Sequence, residues 1–173
     1  PVEHINSMAA MLTSASRIIL IAEGYVVPIA ELTAQQLRHR RIEAFSAAND
    51  TARLASTLVT MSPETLVIGT TSTHLGRDVA RAMQYASARG CPTLGIVGSL
   101  HSPINRVSDL VIYAPTDVAG PQPSVVALSA ALGAVVMLTT RDDEESSRRQ
   151  TELFEQAYEF LVEPDAEIPE DAE

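Results

Sequence analysis

The chain has 173 residues, a formal net charge of −10, 46% hydrophobic residues and 4% aromatic residues. This length supports one hydrophobic core, and the single cysteine, Cys91, excludes an internal disulfide and a cysteine-rich zinc site. Because binding to nucleic acid relies on Lys and Arg, the negative charge predicts no direct nucleic-acid contact by this segment.

The apolar runs are short, and no basic region followed by a hydrophobic core opens the chain. None of the runs approaches the ~20 residues that a bilayer-spanning helix needs. We therefore expect a cytoplasmic protein without membrane contact. The composition also gives no reason to expect a metal or a cofactor.

The first part of the chain alternates helical and strand patterns. Val2–Ser14 has apolar residues at helical spacing, and Arg17–Ala22 is a nearly continuous apolar run, as in strands covered on both faces. A turn at Glu23-Gly24-Tyr25 precedes a predicted helix over Val27–His39, with Pro28 in its first turn. A short strand over Ile42–Phe45 and a helix over Thr51–Met61 follow.

The next segment predicts a strand, a hydroxyl-rich turn and a helix. Leu66–Ile68 form the strand, Gly69–Thr73 the turn, and Leu75–Arg89 the helix, which Gly90 ends in a left-handed conformation. The turn contains four hydroxyl residues, which would lie beside the free N–H groups at the positive end of the helix dipole. They are Thr70, Thr71, Ser72 and Thr73.

This arrangement suits a bound phosphate or carboxylate. The alternative is that Ser72 or Thr73 only caps the helix, since most helices have such a residue at their start. The spacing alone does not separate the two interpretations.

The second half of the chain continues the alternation. The predicted elements are a strand over Thr93–Val97, one helical turn over Pro103–Val107, a strand over Leu110–Tyr113 and a helix over Ser124–Thr139. The last of these is apolar on all sides, which is typical of a helix buried in the core or between subunits.

Strands alternating with helices predict a doubly wound parallel α/β sandwich of three layers. Ligands bind such folds at the carboxyl ends of the strands. The loops at those ends comprise residues 22–26, 69–74 and 98–102. After residue 141 we expect an amphipathic helix over Asp143–Val162, packed on the domain by one stripe, and a disordered acidic tail over Glu163–Glu173.

Three stretches of this chain resemble the loop motifs of the sugar isomerase (SIS) domain. They are Ala22-Glu-Gly-Tyr-Val26, Gly69-Thr-Thr-Ser-Thr-His74, and Gly98-Ser-Leu-His-Ser-Pro-Ile104 with Ser108-Asp109. The third stretch keeps the family's form best. The first keeps only Gly24, because Val26 stands where the family has a serine.

The resemblance, which places the domain at residues 1–141, implies a flavodoxin-like fold, a homodimer or higher homo-oligomer, and a sugar phosphate as the ligand. It implies ligand contacts from residues of all three loops. These are Gly24, Thr70, Thr71, Ser72, Thr73, His74, Ser99 and Ser102.

Three roles fit an SIS domain with this sequence: the sensing domain of a regulator, an isomerase, and a domain that serves dimerisation alone. The lead-in helix and the charged C-terminal helix resemble the effector-sensing half of RpiR-type transcription regulators, which reach DNA through an N-terminal domain that this sequence lacks. The second role is that of an aldose–ketose isomerase, such as a 6-phospho-3-hexuloisomerase-like enzyme. The charged tail favours the regulator.

An isomerase needs a base that moves a proton between two carbons. The residues near the predicted loops that could do so are Glu23, His74, His101 and Asp117, with Glu23 and His74 the stronger two. A carboxylate at Glu23 would repel a phosphate by about 1 kcal/mol or more at ~4 Å. The first loop has therefore lost the usual phosphosugar contact, or Glu23 turns outward into solvent.

Overall fold

In a computed structural model, five short strands form one parallel sheet. They are β1 (Arg17–Ala22), β2 (Glu43–Ala47), β3 (Thr65–Thr71), β4 (Thr93–Val97) and β5 (Leu110–Tyr113). Their order across the sheet is β2-β1-β3-β4-β5, with every neighbouring pair parallel. This is the flavodoxin-like doubly wound order, as the sequence predicts.

The structure describes residues 2–47, 50–117, 123–139 and 144–162. Its helices are α1 (Val2–Ser14), α2 (Val27–His39), α3 (Thr51–Leu58), α4 (Arg77–Ala88), α5 (Val126–Leu138) and α6 (Glu144–Val162). The chain divides into two units, residues 1–140 and 141–173. The first unit holds the sheet and the second holds α6.

Alternate residues of the strands enter two separate cores. Ile18, Leu20 and Ile68 face α1, α2 and α5, whereas Ile19 and Val67 face α3 and α4. The sheet is therefore covered by helices on both faces, which confirms the predicted three-layer sandwich. Burial on both faces also explains why the inner strands read as continuous apolar runs.

The predicted turn over Gly69–Thr73 is wrong in its first half. Gly69, Thr70 and Thr71 continue β3: Gly69 and Thr70 pair with both β1 and β4, and Thr71 pairs with β4. Residues with a preference for turns adopt a strand conformation here, because β3 has a neighbouring strand on each side. A Cβ at Gly69 would overlap Met83 Sδ, so a larger residue in this position of the strand would require Met83 to shift.

The start of the following helix is also displaced from its predicted position. It begins at Arg77, not at Leu75, and its N-cap is Gly76 with a φ of +105°. No side chain caps this helix, so the interpretation of Ser72 or Thr73 as its cap is wrong. At the other end Gly90 has a φ of +83°, and the left-handed termination is confirmed.

Smaller corrections concern β2 and α3. The strand runs over Glu43–Ala47 in place of Ile42–Phe45, because its register with β1 continues to the pair Ile21 and Ala47. The helix ends at Leu58 rather than Met61.

The apolar helix α5 buries one side only. Leu128 and Leu132 are fully buried, whereas Val126 and Met137 are 74% and 67% exposed. The prediction of burial thus holds for the side that packs against α1 and α2.

The amphipathic helix that the sequence predicts after residue 141 is α6, in a unit of its own. Phe154 and Tyr158 stack on its surface with ring centroids 6.2 Å apart, and Arg148 pairs with Glu152 one turn later. Its packing on the domain stays a prediction. The predicted disordered tail, Glu163–Glu173, lies outside the described residues.

Candidate functional site

Three polar loops meet at the carboxyl edge of the sheet, where β1, β3 and β4 end at Ala22, Thr71 and Val97. The first loop contains Glu23 and Gly24, and the others follow β3 and β4. Because parallel strands end at the same edge, segments far apart in the chain become neighbours here. The predicted ligand loops are therefore adjacent.

The second loop is held by hydrogen bonds from its backbone N–H groups to its own threonine hydroxyls. Thr73 N–H donates to Thr71 Oγ1 at 3.4 Å, and Leu75 N–H donates to Thr73 Oγ1 at 3.1 Å. Gly76 follows Leu75 directly and is the N-cap of α4, which begins without a side-chain cap. The first N–H groups of α4 thus have no partner within the helix and none from a cap, which is the arrangement that favours a bound anion.

The third loop packs directly against the second. Ser102 Oγ donates to Leu75 O at 3.3 Å and accepts from Ile104 N–H at 3.3 Å. A Cβ placed on Gly76 would lie 3.5 Å from Ser102 Oγ and 3.2 Å from Thr71 Cγ2. Thr71 and Ser102 therefore both lie against Gly76, and the three residues form one contact group.

The structure adds Thr116, a residue that the sequence interpretation missed. Its Oγ1 lies 2.7 Å from Ser72 O and 3.1 Å from Gly98 O, so that its one proton joins the second and third loops. Thr116 is 2% exposed. The sequence signal that could have identified Thr116 is its position just past the end of β5, which places it at the same edge of the sheet.

Glu23 does not turn outward, which corrects one of the two interpretations of the first loop. It is half-buried, and its Oε1 accepts a hydrogen bond from Thr71 Oγ1 at 3.3 Å. Burial raises the pKa of Glu23, the bond from Thr71 opposes that rise, and the charge of Asp78 adds to it. A carboxylate therefore lies inside the candidate site.

The predicted ligand residues differ widely in accessibility. Thr70 faces the α2 and α5 side of the sheet, and its buried hydroxyl has no hydrogen-bond partner among the described residues. Val26, which replaces the family's serine, is fully buried. The remaining predicted positions follow, from buried to exposed: Thr71, Ser72 and Ser102 are buried, Thr73 and Ser99 are half-buried, and Gly24 and His74 are exposed.

The other candidate bases lie in exposed positions. His101 and Asp117 have exposed side chains, and His101 N–H donates to Ser99 Oγ at 3.2 Å. In the part of the chain that the structure describes, no group of three or more His, Cys, Asp or Glu side chains is placed to hold a metal ion. No described helix is long and apolar enough to cross a membrane.

Solved structures with the same fold include a domain of an RpiR transcription factor and a complex with ManNAc-6P. The sugar isomerase domain of an RpiR transcription factor from Sphaerobacter thermophilus has a TM-score of 0.80 at 23% identity, covering 90% of this chain and 87% of its own. NanR of Vibrio vulnificus, in complex with ManNAc-6P, has a TM-score of 0.69 at 20% identity and 96% coverage of this chain, which spans 63% of NanR.

A third structure is c3406 of Escherichia coli CFT073, solved as a ligand complex, with a TM-score of 0.71 at 17% identity, covering 89% of this chain and 84% of its own. No curated protein sequence matches the chain significantly. The SIS domain family model matches residues 11–141, which is more than half of the chain. With the sheet order and the three loops at its carboxyl edge, this match shows that the chain belongs to the SIS domain family.

Proposed function

We propose that this chain binds a sugar phosphate and serves as the effector-sensing and dimerisation module of an RpiR-type transcription regulator. The observation that carries the proposal is the uncapped start of α4, which faces the contact group of Thr71, Gly76 and Ser102. Free amides at the positive end of a helix can hold a phosphate. The fold likeness to the NanR complex with ManNAc-6P and to the RpiR domain supports this choice.

In this proposal the phosphate lies against the amides of the second loop and α4, with Thr73, His74 and Ser99 at the accessible side. Gly24 lets the ligand approach the backbone of the first loop closely, because it carries no Cβ and is exposed. The loops are supported beneath the ligand by four buried residues, which are Thr70, Thr71, Ser72 and Ser102. Glu23 accepts a hydrogen bond from a sugar hydroxyl, since its charge is unfavourable next to the phosphate.

A sensing role requires only binding and a change in the dimer, and DNA contact would come from a domain outside this sequence. We also propose that the first unit is the folded SIS domain and that α6 docks on it or on a second copy. The chain itself has too much negative charge to bind nucleic acid well.

The decisive experiment is a thermal-shift and calorimetric screen of the chain against hexose and pentose phosphates. A ligand at about 100 times its Kd adds about 2.7 kcal/mol to the free energy of unfolding. Ser99→Asp should weaken binding at least about tenfold through repulsion of the phosphate. The aspartate can still accept the His101 N–H bond, so the loop is expected to keep its form.

The matched control is Ser87→Asp, which adds the same charge to the exposed last turn of α4. That position is ten residues from the start of the helix, or about 15 Å. Equal affinity of both variants for the sugar phosphate would contradict the proposed site. If no sugar phosphate binds, the dimerisation-only role is favoured, and sedimentation of the chain at several concentrations tests it.

An isomerase is the second candidate function, and Glu23 is the observation that favours it. A half-buried carboxylate with a raised pKa at the carboxyl edge of the sheet has the properties of a general base. Incubation of the bound sugar phosphate with the chain in D₂O would show deuterium incorporation next to the carbonyl if this base acts. Glu23→Gln should abolish that exchange, whereas binding without exchange favours the sensor.

A further inference from the structure

A groove lies at the outer edge of the sheet, lined by residues of α2, β2 and α3, and none of its described lining residues belongs to the three carboxyl-end loops. It has a volume of about 580 Å³, which is within the range of small-molecule sites. In the described residues β2 is an edge strand, with β1 as its one neighbour. The residues of this edge groove are Pro28, Glu31, Leu32, Ala34, Gln35, Arg38, Phe45, Ser46 and Arg53.

The charge of the edge groove is opposite to that of the chain. Arg38 and Arg53 line it, and Glu31 is the one acid among the lining residues that the structure describes, so their net charge is positive in a chain of net charge −10. A local excess of cationic groups on an acidic protein concentrates small anions there.

Arg38 is held in place before any ligand arrives. Its Nη1 donates to Ala44 O on β2 at 2.7 Å, which also covers a carbonyl of the edge strand. A guanidinium has five N–H donors in a planar fork, so donors other than the one bound to Ala44 O can bind a carboxylate or phosphate. The side chain of Arg38 is therefore ordered in the free protein, so that binding a ligand causes a smaller further loss of conformational entropy.

The walls beside the arginines are apolar and open to solvent. Leu32 is 53% exposed and Phe45 is 46% exposed. Arg17 lies over the Phe45 ring, with its guanidinium carbon 5.7 Å from the ring centroid, a cation–π contact. Ser46, next along β2, has a buried hydroxyl that lacks a hydrogen-bond partner in the part of the chain that the structure describes.

We propose that the edge groove binds a small organic anion, a phosphate monoester or a carboxylate with an apolar body. The anionic group lies against Arg38 and Arg53, and the apolar body lies against Leu32 and Phe45. The surface of α2 that lines the groove runs from Pro28 to Arg38, or about 15 Å, which accommodates a ligand of this size. This site is independent of the proposed sugar-phosphate site.

The test is a titration of the ¹⁵N-labelled chain with phenyl phosphate, phenylacetate, inorganic phosphate and benzyl alcohol, followed by amide NMR. We expect saturable shifts at Ala44, Phe45 and Ser46 with phenyl phosphate or phenylacetate, and the tighter of the two identifies the anionic group. Arg53→Gln and Arg38→Gln should each weaken this binding at least about tenfold. The backbone N–H of residue 53 keeps its bond to Asp50 in the first variant.

Arg81→Gln is the matched control, because it removes the same charge from an exposed position on α4, which supplies none of the lining residues. Ser99→Asp should leave the groove titration unchanged, so failure of the sugar-phosphate site does not affect this result. Absence of saturable binding, shifts confined to residues 71–76, or equal weakening by Arg81→Gln would overturn the proposal. Benzyl alcohol or inorganic phosphate binding as tightly as phenyl phosphate would also overturn it.

Discussion

The carboxyl-end loops and the edge groove differ in the sign of their charged groups and in how tightly they are packed. At the loops, the central ionisable group is the Glu23 carboxylate, bound by Thr71, and the hydroxyls around it are mostly buried. At the groove the central groups are two arginines beside exposed apolar side chains. The same chain thus presents two polar regions with opposite electrostatics.

This difference indicates how each region can bind an anion. In the proposed function, backbone amides at the start of α4 would hold a phosphate at the loops, in the presence of a nearby carboxylate. At the groove, guanidinium groups supply the attraction directly. Binding at the groove should therefore depend mainly on charge, and binding at the loops on shape and on hydrogen bonds.

The tight packing of the loops predicts the largest effect. Gly98→Ala would place a Cβ 2.5 Å from Thr116 Cγ2 and 2.7 Å from Ser72 O. We expect a loss of about 2–3 kcal/mol in the free energy of unfolding, measured by urea titration. Gly133→Ala is the control, because its Cβ would meet nothing within 4 Å on α5, and it should stabilise by about 0.5–1 kcal/mol. Similar values for both variants would contradict the described packing.

A smaller effect is expected from the bond that joins the second and third loops. Thr116→Val keeps the shape of the side chain but removes the proton shared by Ser72 O and Gly98 O. The expected cost is about 1 kcal/mol, again from urea unfolding. Thr13→Val, which removes an exposed hydroxyl bond within α1, should cost less than about 0.5 kcal/mol. A neutral Thr116→Val variant would indicate that the loops do not depend on this bond.

The smallest effect concerns the charge of Glu23 and depends on pH. Since burial raises the folded-state pKa of Glu23, its contribution to stability is present at low pH and is lost as the pH rises through that pKa. Glu23→Gln should therefore raise the Tm at about pH 7 and leave it unchanged at about pH 4. We expect a rise below the 2–4 °C or so that 1 kcal/mol gives in a domain of this size.

The control for this comparison is Glu64→Gln, which removes an exposed acid just before β3. This variant also removes one negative charge from the chain, so it measures how much the Tm changes when any surface acid is neutralised. The same Tm rise from both variants would show that Glu23 is no less favourable than an ordinary surface acid. A loss of stability in Glu23→Gln at neutral pH would overturn the assigned direction.

Prediction from sequence succeeded where a pattern extends over many residues. The strands Arg17–Ala22, Thr93–Val97 and Leu110–Tyr113 have their predicted bounds, since continuous apolar runs identify buried parallel strands. It failed at the boundary between β3 and α4, where Gly69, Thr70 and Thr71 have the composition of a turn. Pairing on both sides of β3 overrides that local preference.

In the candidate site, too, some features could be predicted from the sequence and others could not. The hydroxyl-rich segment and its position before a helix could be read from the chain, because glycine and threonine clusters mark loops. The inward position of Glu23 and the joining role of Thr116 could not. Both depend on contacts between residues more than 40 positions apart, Glu23 with Thr71 and Thr116 with Ser72.

The sequence alone determined the alternation of strands and helices, the parallel sheet and the family, because these follow from the periodicity of apolar residues and from short motifs. The tertiary structure decided which polar groups are accessible, which carboxylate lies in the site, and that two arginines line a groove at the edge of β2. Accessibility and electrostatics depend on distances through space, and the folded sheet alone brings those distant side chains together.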